Sequence, residues 1–453
     1  MVNTRDKSVD RARGVVSKIV LTLALQGLTV TAAQAVPAFA VQTGQPCQAC
    51  HVGGFGPQLT PFGRNFKING YTSRAGGFTL PLSAMVVSSY TRTAKDQPAG
   101  SAPPGYGAND NFGLDQASLF LAGGYGHFGA FIQTTYDGVA KAFHWDNMDI
   151  RAVTKATIKG VDAVFGLSFN NAPTVQDVFN TVPAWGFPYT TSATVPAPGA
   201  GPILGGFAQN TMGITGYAWL DNQFYVEVGG YQSPSAGFLT HAGVDPTAPG
   251  SIRGTAPYAR VAWQKTFPDH NFEVGAFLMD VDIYPGLIMT TGLTDHYTDL
   301  GFDTSYQLFA KGDDVFTLNA RYTHEHQDLR ASQALGAAAN IPQTLEDLRA
   351  DASYYWHNKV GLTLGAFDTW GSTDPLLYGG ATIPRPNSSG VLVQLDGTPW
   401  GAGGSPLGPR FNIRVGIQYT DYFSFNGAGS NYDGTGRNAS DNNTVRVFTW
   451  IAY

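Results

Sequence analysis

The chain of 453 residues holds two cysteines, Cys47 and Cys50, and a histidine follows them at once, His51, in the stretch GQPCQACHVGGFG. Three chemistries use such a pair. A disulfide between residues three apart closes a very small loop, adds little to the stability of a large fold and gives His51 no role. A structural zinc site needs about four ligands, and no second cysteine or histidine pair follows for dozens of residues. The remaining reading is the C-x-x-C-H pattern of c-type haem attachment. Two thiols at this spacing bond to the two vinyl groups of one porphyrin, and the adjacent imidazole reaches the iron from the proximal side. Cys47, Cys50 and His51 are therefore the expected ligands of one covalent haem c.

The elements that must position this motif are read outward from it. Residues 1–35 look like an export signal: Arg5, Lys7, Arg11, Arg13 and Lys18, then an apolar run from Ile19 to about Val30, then Ala33-Gln34-Ala35 as a small-x-small cleavage site. The apolar run is too short and too rich in threonine for a spanning helix, and no later stretch offers the roughly 18 apolar residues that one needs. The leader carries five basic and two acidic residues, so its removal takes the formal charge from −6 to −9. Such a charge excludes a basic nucleic-acid-binding protein. Residues 36–77 form the haem segment. A piece this short cannot enclose a porphyrin by itself. Shelter has to come from residues 78–453.

That remainder carries strand signals throughout. In RFNIRVGIQYT, Phe411, Ile413, Val415, Ile417 and Tyr419 share one face, opposite Asn412, Arg414, Gly416, Gln418 and Thr420. Residues 149–158 and 348–356 alternate in the same way, with Arg151, Arg349 and Asp351 on the polar faces. A soluble β-sandwich also alternates, but its strands run to five or six residues, whereas these reach ten or more. Short turns at Asp221, Pro268, Lys311 and His357 alternate with long loops such as 172–209 and 233–254. Short turns at one end and long loops at the other describe an outer-membrane barrel. The chain closes on NTVRVFTWIAY, whose Val445, Val447, Thr449, Ile451 and Tyr453 share one face. The expected fold is thus all-β, an antiparallel barrel of about sixteen strands in the bacterial outer membrane, with the haem segment inside it. A barrel of this size has an interior. Charges of both signs point into it, Arg151, Arg260, Arg321, Arg349 and Arg414 against Asp303, Asp351 and Asp396, which reads as a mutually neutralising polar lumen.

A sixth iron ligand is sought outside the haem segment, which has no histidine or methionine after His51. In TLPLSAMVVSSY the even positions form the lipid face, so Met85 points inward with Ser83, Val87 and Ser89. Met279 shares inward parity on a poorly alternating strand, Met148 and Met212 face outward, and Met289 lies in a loop. Met85 is the candidate, against water or a turn histidine such as His127, His270 or His357. His324 and His326 in THEHQD have outward parity and read as rim residues, and no H-E-x-x-H occurs.

PAFAVQTGQPCQACH, then PQLTPFGRNFKINGYT, then a barrel closing on NYDGTGRNASDNNT and an aromatic terminus resemble the outer-membrane monohaem cytochrome–porin fusions of iron-oxidising bacteria. The likeness rests on Pro37, Phe39, Ala40, Cys47, Cys50, His51, Pro57, Leu59, Gly63, Phe66, Lys67, Gly70 and Tyr71, on the barrel size and on the last strands. It implies one haem within or at the mouth of the barrel, with electrons passing from an extracellular reductant, typically ferrous iron, to a periplasmic cytochrome c, as an electron-transfer protein or iron(II) oxidase. The alternative is a solute-conducting porin in which the haem segment serves as plug or sensor.

Overall fold

A computed structural model describes residues 36–400, 404–408 and 411–453, so the expected leader lies outside the described residues. Sixteen strands follow one another: β1 Leu82–Thr93, β2 Asn111–Tyr125, β3 Phe128–Asp137, β4 Ala142–Ile158, β5 Val161–Asn170, β6 Met212–Leu220, β7 Phe224–Gln232, β8 Ala256–Thr266, β9 His270–Tyr284, β10 Asp295–Phe309, β11 Val315–Asp328, β12 Pro342–Trp356, β13 Val360–Gly371, β14 Ser388–Gly397, β15 Asn412–Ser424 and β16 Thr444–Ala452. Each pairs antiparallel with its neighbours in sequence. β1 pairs with β16, Met85 opposite Ala452 and Thr93 opposite Thr444, and this closes the sheet into a barrel. Closure removes both sheet edges, which is what a β-structure in hydrocarbon requires. A two-residue strand, Ser251–Ile252, extends the pairing of β9 and is not a barrel stave.

The alternation read from the sequence sets the two faces. In β15 Val415, Ile417 and Tyr419 are exposed while Arg414 and Gln418 are buried. In β12 Leu348, Tyr354 and Trp356 are exposed, and Ser353 and Tyr355 are buried. Large apolar groups on the outside and polar groups within suit a wall between lipid and lumen. Tight turns at one end explain why the pleat holds its register. Asp221-Asn222 and His357-Asn358 each have two residues at positive φ, near 50°. Two such residues form the primed turns whose twist matches that of the flanking strands.

The opposite end carries the long connections. The connection from β14 to β15 is the exception, since it returns at the short-turn end. The longest connection, residues 171–211, is no solvated loop. Its Val175, Val178, Phe179 and Val182 are buried, and Val178 and Phe179 join Ile68, Tyr217, Trp219 and Tyr225 in one apolar cluster. Phe179 meets Tyr225 edge to face at 5.6 Å. The expected neutral interior is present as ion pairs. Arg260 lies 2.7 Å from Asp303 and 3.0 Å from Asp177 of the long connection, and Arg414 lies 2.7 Å from Asp396. Arg321 and Arg349 share Asp347, and Asp351 accepts from Asn319.

Candidate functional site

Three short helices build the site: α1 Pro37–Thr43, α2 Cys47–Cys50 and α3 Pro61–Ile68. Pro61 opens α3, where a missing N–H costs nothing, and Thr60 caps it by accepting from the Gly63 N–H at 3.3 Å. The same hydroxyl donates to the Ala49 carbonyl at 2.6 Å, and the Thr60 N–H donates to the Cys50 carbonyl at 2.9 Å. The start of α3 is thereby tied to the single turn that holds both cysteines. One helical turn puts positions i and i+3 on the same side, so the two thiols share a face. They are not joined as a disulfide. His51 leaves the turn in extended conformation and bridges to Leu59.

Gly63 is required where α3 crosses this turn. A Cβ there would lie 2.3 Å from the Cys50 carbonyl oxygen. Gly63→Ala is therefore expected to push α3 off the cysteine turn at a cost of about 1–3 kcal/mol. Limited proteolysis should show faster cleavage within residues 36–77 and an unchanged barrel core; equal cleavage rates would show that the contact does not hold the turn.

The three helices meet the barrel through inward-facing side chains near the short turns. Arg64 donates to Gln264 on β8 at 3.0 Å and to Ser305 on β10 at 2.8 Å. Gln58 donates to Thr317 on β11 at 2.7 Å, Arg414 on β15 donates to the Phe55 carbonyl at 2.9 Å, and Tyr217 on β6 donates to the Ile68 carbonyl at 2.7 Å. Tyr71 donates to Asp149 on β4 at 2.6 Å. Lys67 turns to the long connection, donating to the Val175 carbonyl and to Asn180, both at 2.9 Å, with its ammonium 4.6 Å from the centre of the Trp185 ring.

Between helices and wall lies a cavity of about 340 Å³. Cys47, Cys50, His51 and Met85, the four residues singled out in the sequence, all line it. The size falls within the range of small-molecule and cofactor pockets. Phe39, Phe66, Phe120, Phe131, Trp185 and Trp450 make most of its surface apolar, with Gln116, Gln133, Asp146 and Asn147 on one polar side. Met85 packs between two apolar clusters, one with Cys47, Phe55 and Trp450 and the other with Phe66, Phe120 and Phe131. Met279 also points inward, as its parity requires, but into a different cluster with Tyr231 and Tyr258.

The electrostatics follow from enclosure. Burial lowers the pKa of His51 to about 4, against a smaller upward pull from the Gly56 backbone, so the imidazole is neutral and free to act as a ligand near neutral pH. Burial raises the Cys50 thiol to about 12. Lys67 falls to about 7, through burial first and the Arg151 charge second. His324 lies elsewhere, 2.7 Å from Glu346, and no cluster of three or more metal-ligating side chains occurs among the described residues.

Sequence reasoning treated residues 36–77 only as the haem segment and missed Arg64 and Lys67 as the anchors of α3, along with Asp177 of the long connection. The available signal was the apolar run Val175, Val178, Phe179 and Val182, which a solvated loop would not carry.

The barrel resembles solved outer-membrane structures. OmpT of Vibrio cholerae in its trimer form matches with a TM-score of 0.44 and 12% identity over 83% of this chain and 98% of that one. The anion-selective porin from Comamonas acidovorans gives 0.44 and 13% over 82% and 98%, and OprB of Pseudomonas putida gives 0.45 and 12% over 82% and 94%. The chain is an outer-membrane β-barrel. No family model matches the sequence, and no curated protein does. The closed barrel and its apolar outer face locate the chain in the bacterial outer membrane.

Proposed function

We propose that residues 36–77 plug the short-turn end of the lumen of the barrel, residues 78–453, and carry one covalent haem c there. In this reading the protein relays electrons from an extracellular reductant to a periplasmic cytochrome. The observation that carries it is the convergence of Cys47, Cys50, His51 and Met85 on one largely apolar cavity. Cys47 and Cys50 would hold the porphyrin, and His51 and Met85 would be the protein ligands of its iron. Once bound, the group supplies a one-electron redox centre.

The chain's own residues do the rest. Phe39, Phe66, Phe120 and Phe131 exclude water, and Arg64, Gln58 and Tyr71 fix the segment to the wall so that the site keeps its place in the membrane. A centre fixed within a spanning wall serves partners on opposite faces. The reductant named by the resemblance is ferrous iron. Denaturing mass spectrometry of the exported protein tests the attachment: one haem mass carried on the peptide that contains Cys47 and Cys50 is expected, and an unmodified peptide would overturn the reading.

Met85→Ala is expected to abolish the thioether-to-iron band in the near-infrared spectrum of the oxidised protein and to lower the reduction potential, because a thioether ligand raises it. Survival of a band present in the parent would rule Met85 out as ligand.

A solute-conducting porin with a haem-bearing plug is the second reading. It is favoured by the strand number, since barrels of sixteen strands enclose aqueous channels. Planar-bilayer conductance separates the two: the relay reading expects small or no ion currents with the segment in place, and large steady currents would favour the porin.

A further inference from the structure

We propose that the long-loop mouth of the barrel holds a second site, one that binds small aromatic carboxylates, with Arg385 as the anion receptor and Tyr297, Tyr378 and Tyr432 as the wall for the ring. This site goes beyond the haem reading and does not depend on it.

A cavity of about 510 Å³ lies at that end, among the outer ends of β10 and β11 and the connections 171–211, 372–387 and 425–443. Arg385 lines it. Its Nε is buried with no hydrogen-bond partner, and among the described residues its guanidinium makes no ion pair. The buried arginines are all partnered: Arg151, Arg260, Arg414 and Arg446 each lie within 3.0 Å of a carboxylate, and Arg64 and Arg437 donate to neutral side-chain oxygens. A guanidinium set against a partly apolar wall with no counter-charge is unfavourable until an anion arrives, and a carboxylate matches its planar fork with two parallel hydrogen bonds. The one acid in the lining, Glu325, is already engaged, accepting from Gln327 at 2.5 Å and from the Ile203 N–H.

The rest of the lining decides what kind of anion fits. Three tyrosine rings, with Ile203, Leu345 and Leu377, offer aromatic and aliphatic surface on which a flat apolar body can rest. Tyr432 is held in place by Phe425, ring centres 5.0 Å apart, and its hydroxyl accepts from Asn442 at 3.1 Å. Inorganic phosphate would satisfy the guanidinium but leave these walls wet. An aromatic carboxylate satisfies both.

The test is calorimetric titration of the full-length barrel in detergent with benzoate, acetate, benzyl alcohol and inorganic phosphate. Benzoate is expected to bind more tightly than the other three. Arg385→Gln should weaken benzoate by about tenfold or more, the usual scale for a hydrogen-bonded charge, and Arg385→Lys by less. Tyr378→Ala should weaken benzoate while leaving acetate unchanged. Heat modifiability on gels confirms that each variant is folded. Benzoate binding that Arg385→Gln leaves intact, or phosphate or acetate binding as tight as benzoate, would overturn the proposal.

Discussion

Cys47→Ala combined with Cys50→Ala is expected to give an inserted, heat-modifiable barrel with haem stain at background, and either single variant should retain only a small fraction of the stain. The separation follows from where the stabilising contacts lie. The sixteen-strand ladder closes through β1 and β16 without help from either sulfur. The cysteine turn is held by Thr60, and the segment is held to the wall by Arg64, Gln58 and Tyr71. Cys47 itself packs against Phe55, Val87, Phe448 and Trp450, so removing one sulfur leaves a small void worth about 1 kcal/mol. Full haem stain in the double variant would mean that the porphyrin is held some other way.

Arg260→Leu should produce the largest loss of stability among the lumen variants. Arg260 is wholly buried and faces three carboxylates, Asp177 at 3.0 Å, Asp303 at 2.7 Å and Glu273 at 3.5 Å. Removing the guanidinium that pairs with all three leaves buried negative charge without its ion-pair partner, which costs about 3–5 kcal/mol. Asp177 belongs to the long connection, while Asp303 and Glu273 belong to the wall, so the damage should begin where the two meet. Protease cleavage within residues 171–211 is expected to accelerate, and the barrel band is expected to unfold at a lower temperature on heat-modifiability gels. Arg260→Lys keeps the charge without the fork and should fall between. Parent-like cleavage in Arg260→Leu would show that the network does not anchor the connection.

The barrel was legible because a two-residue period repeated over ten or more residues has one physical meaning: Val415, Ile417 and Tyr419 go to one face and Arg414 and Gln418 to the other, whatever the neighbouring strands are. The same parity placed Met85 inward from a single strand. The Cys47-x-x-Cys50-His51 pattern was visible within five residues, and the structure adds that these three side chains line one cavity with Met85. What could not be read was local sequence with distant partners. Arg64 and Lys67 look like the polar face of a short exposed helix, yet Gln264 and Ser305, which receive Arg64, stand 200 and 241 positions away. The inward course of residues 171–211 was hidden for the same reason, since Pro and Gly clusters mark it as a loop while its apolar side chains find Ile68 and Tyr217 only after closure.

Stopped-flow haem spectroscopy of the protein reconstituted in vesicles, with ferrous iron on the long-loop side alone and an oxidised cytochrome c enclosed on the other, tests the central proposal most directly. Reduction of the covalent haem followed by reduction of the enclosed cytochrome is the predicted result, both lost in the Cys47→Ala, Cys50→Ala double variant. A haem that stays oxidised while the vesicles leak ions freely would contradict it.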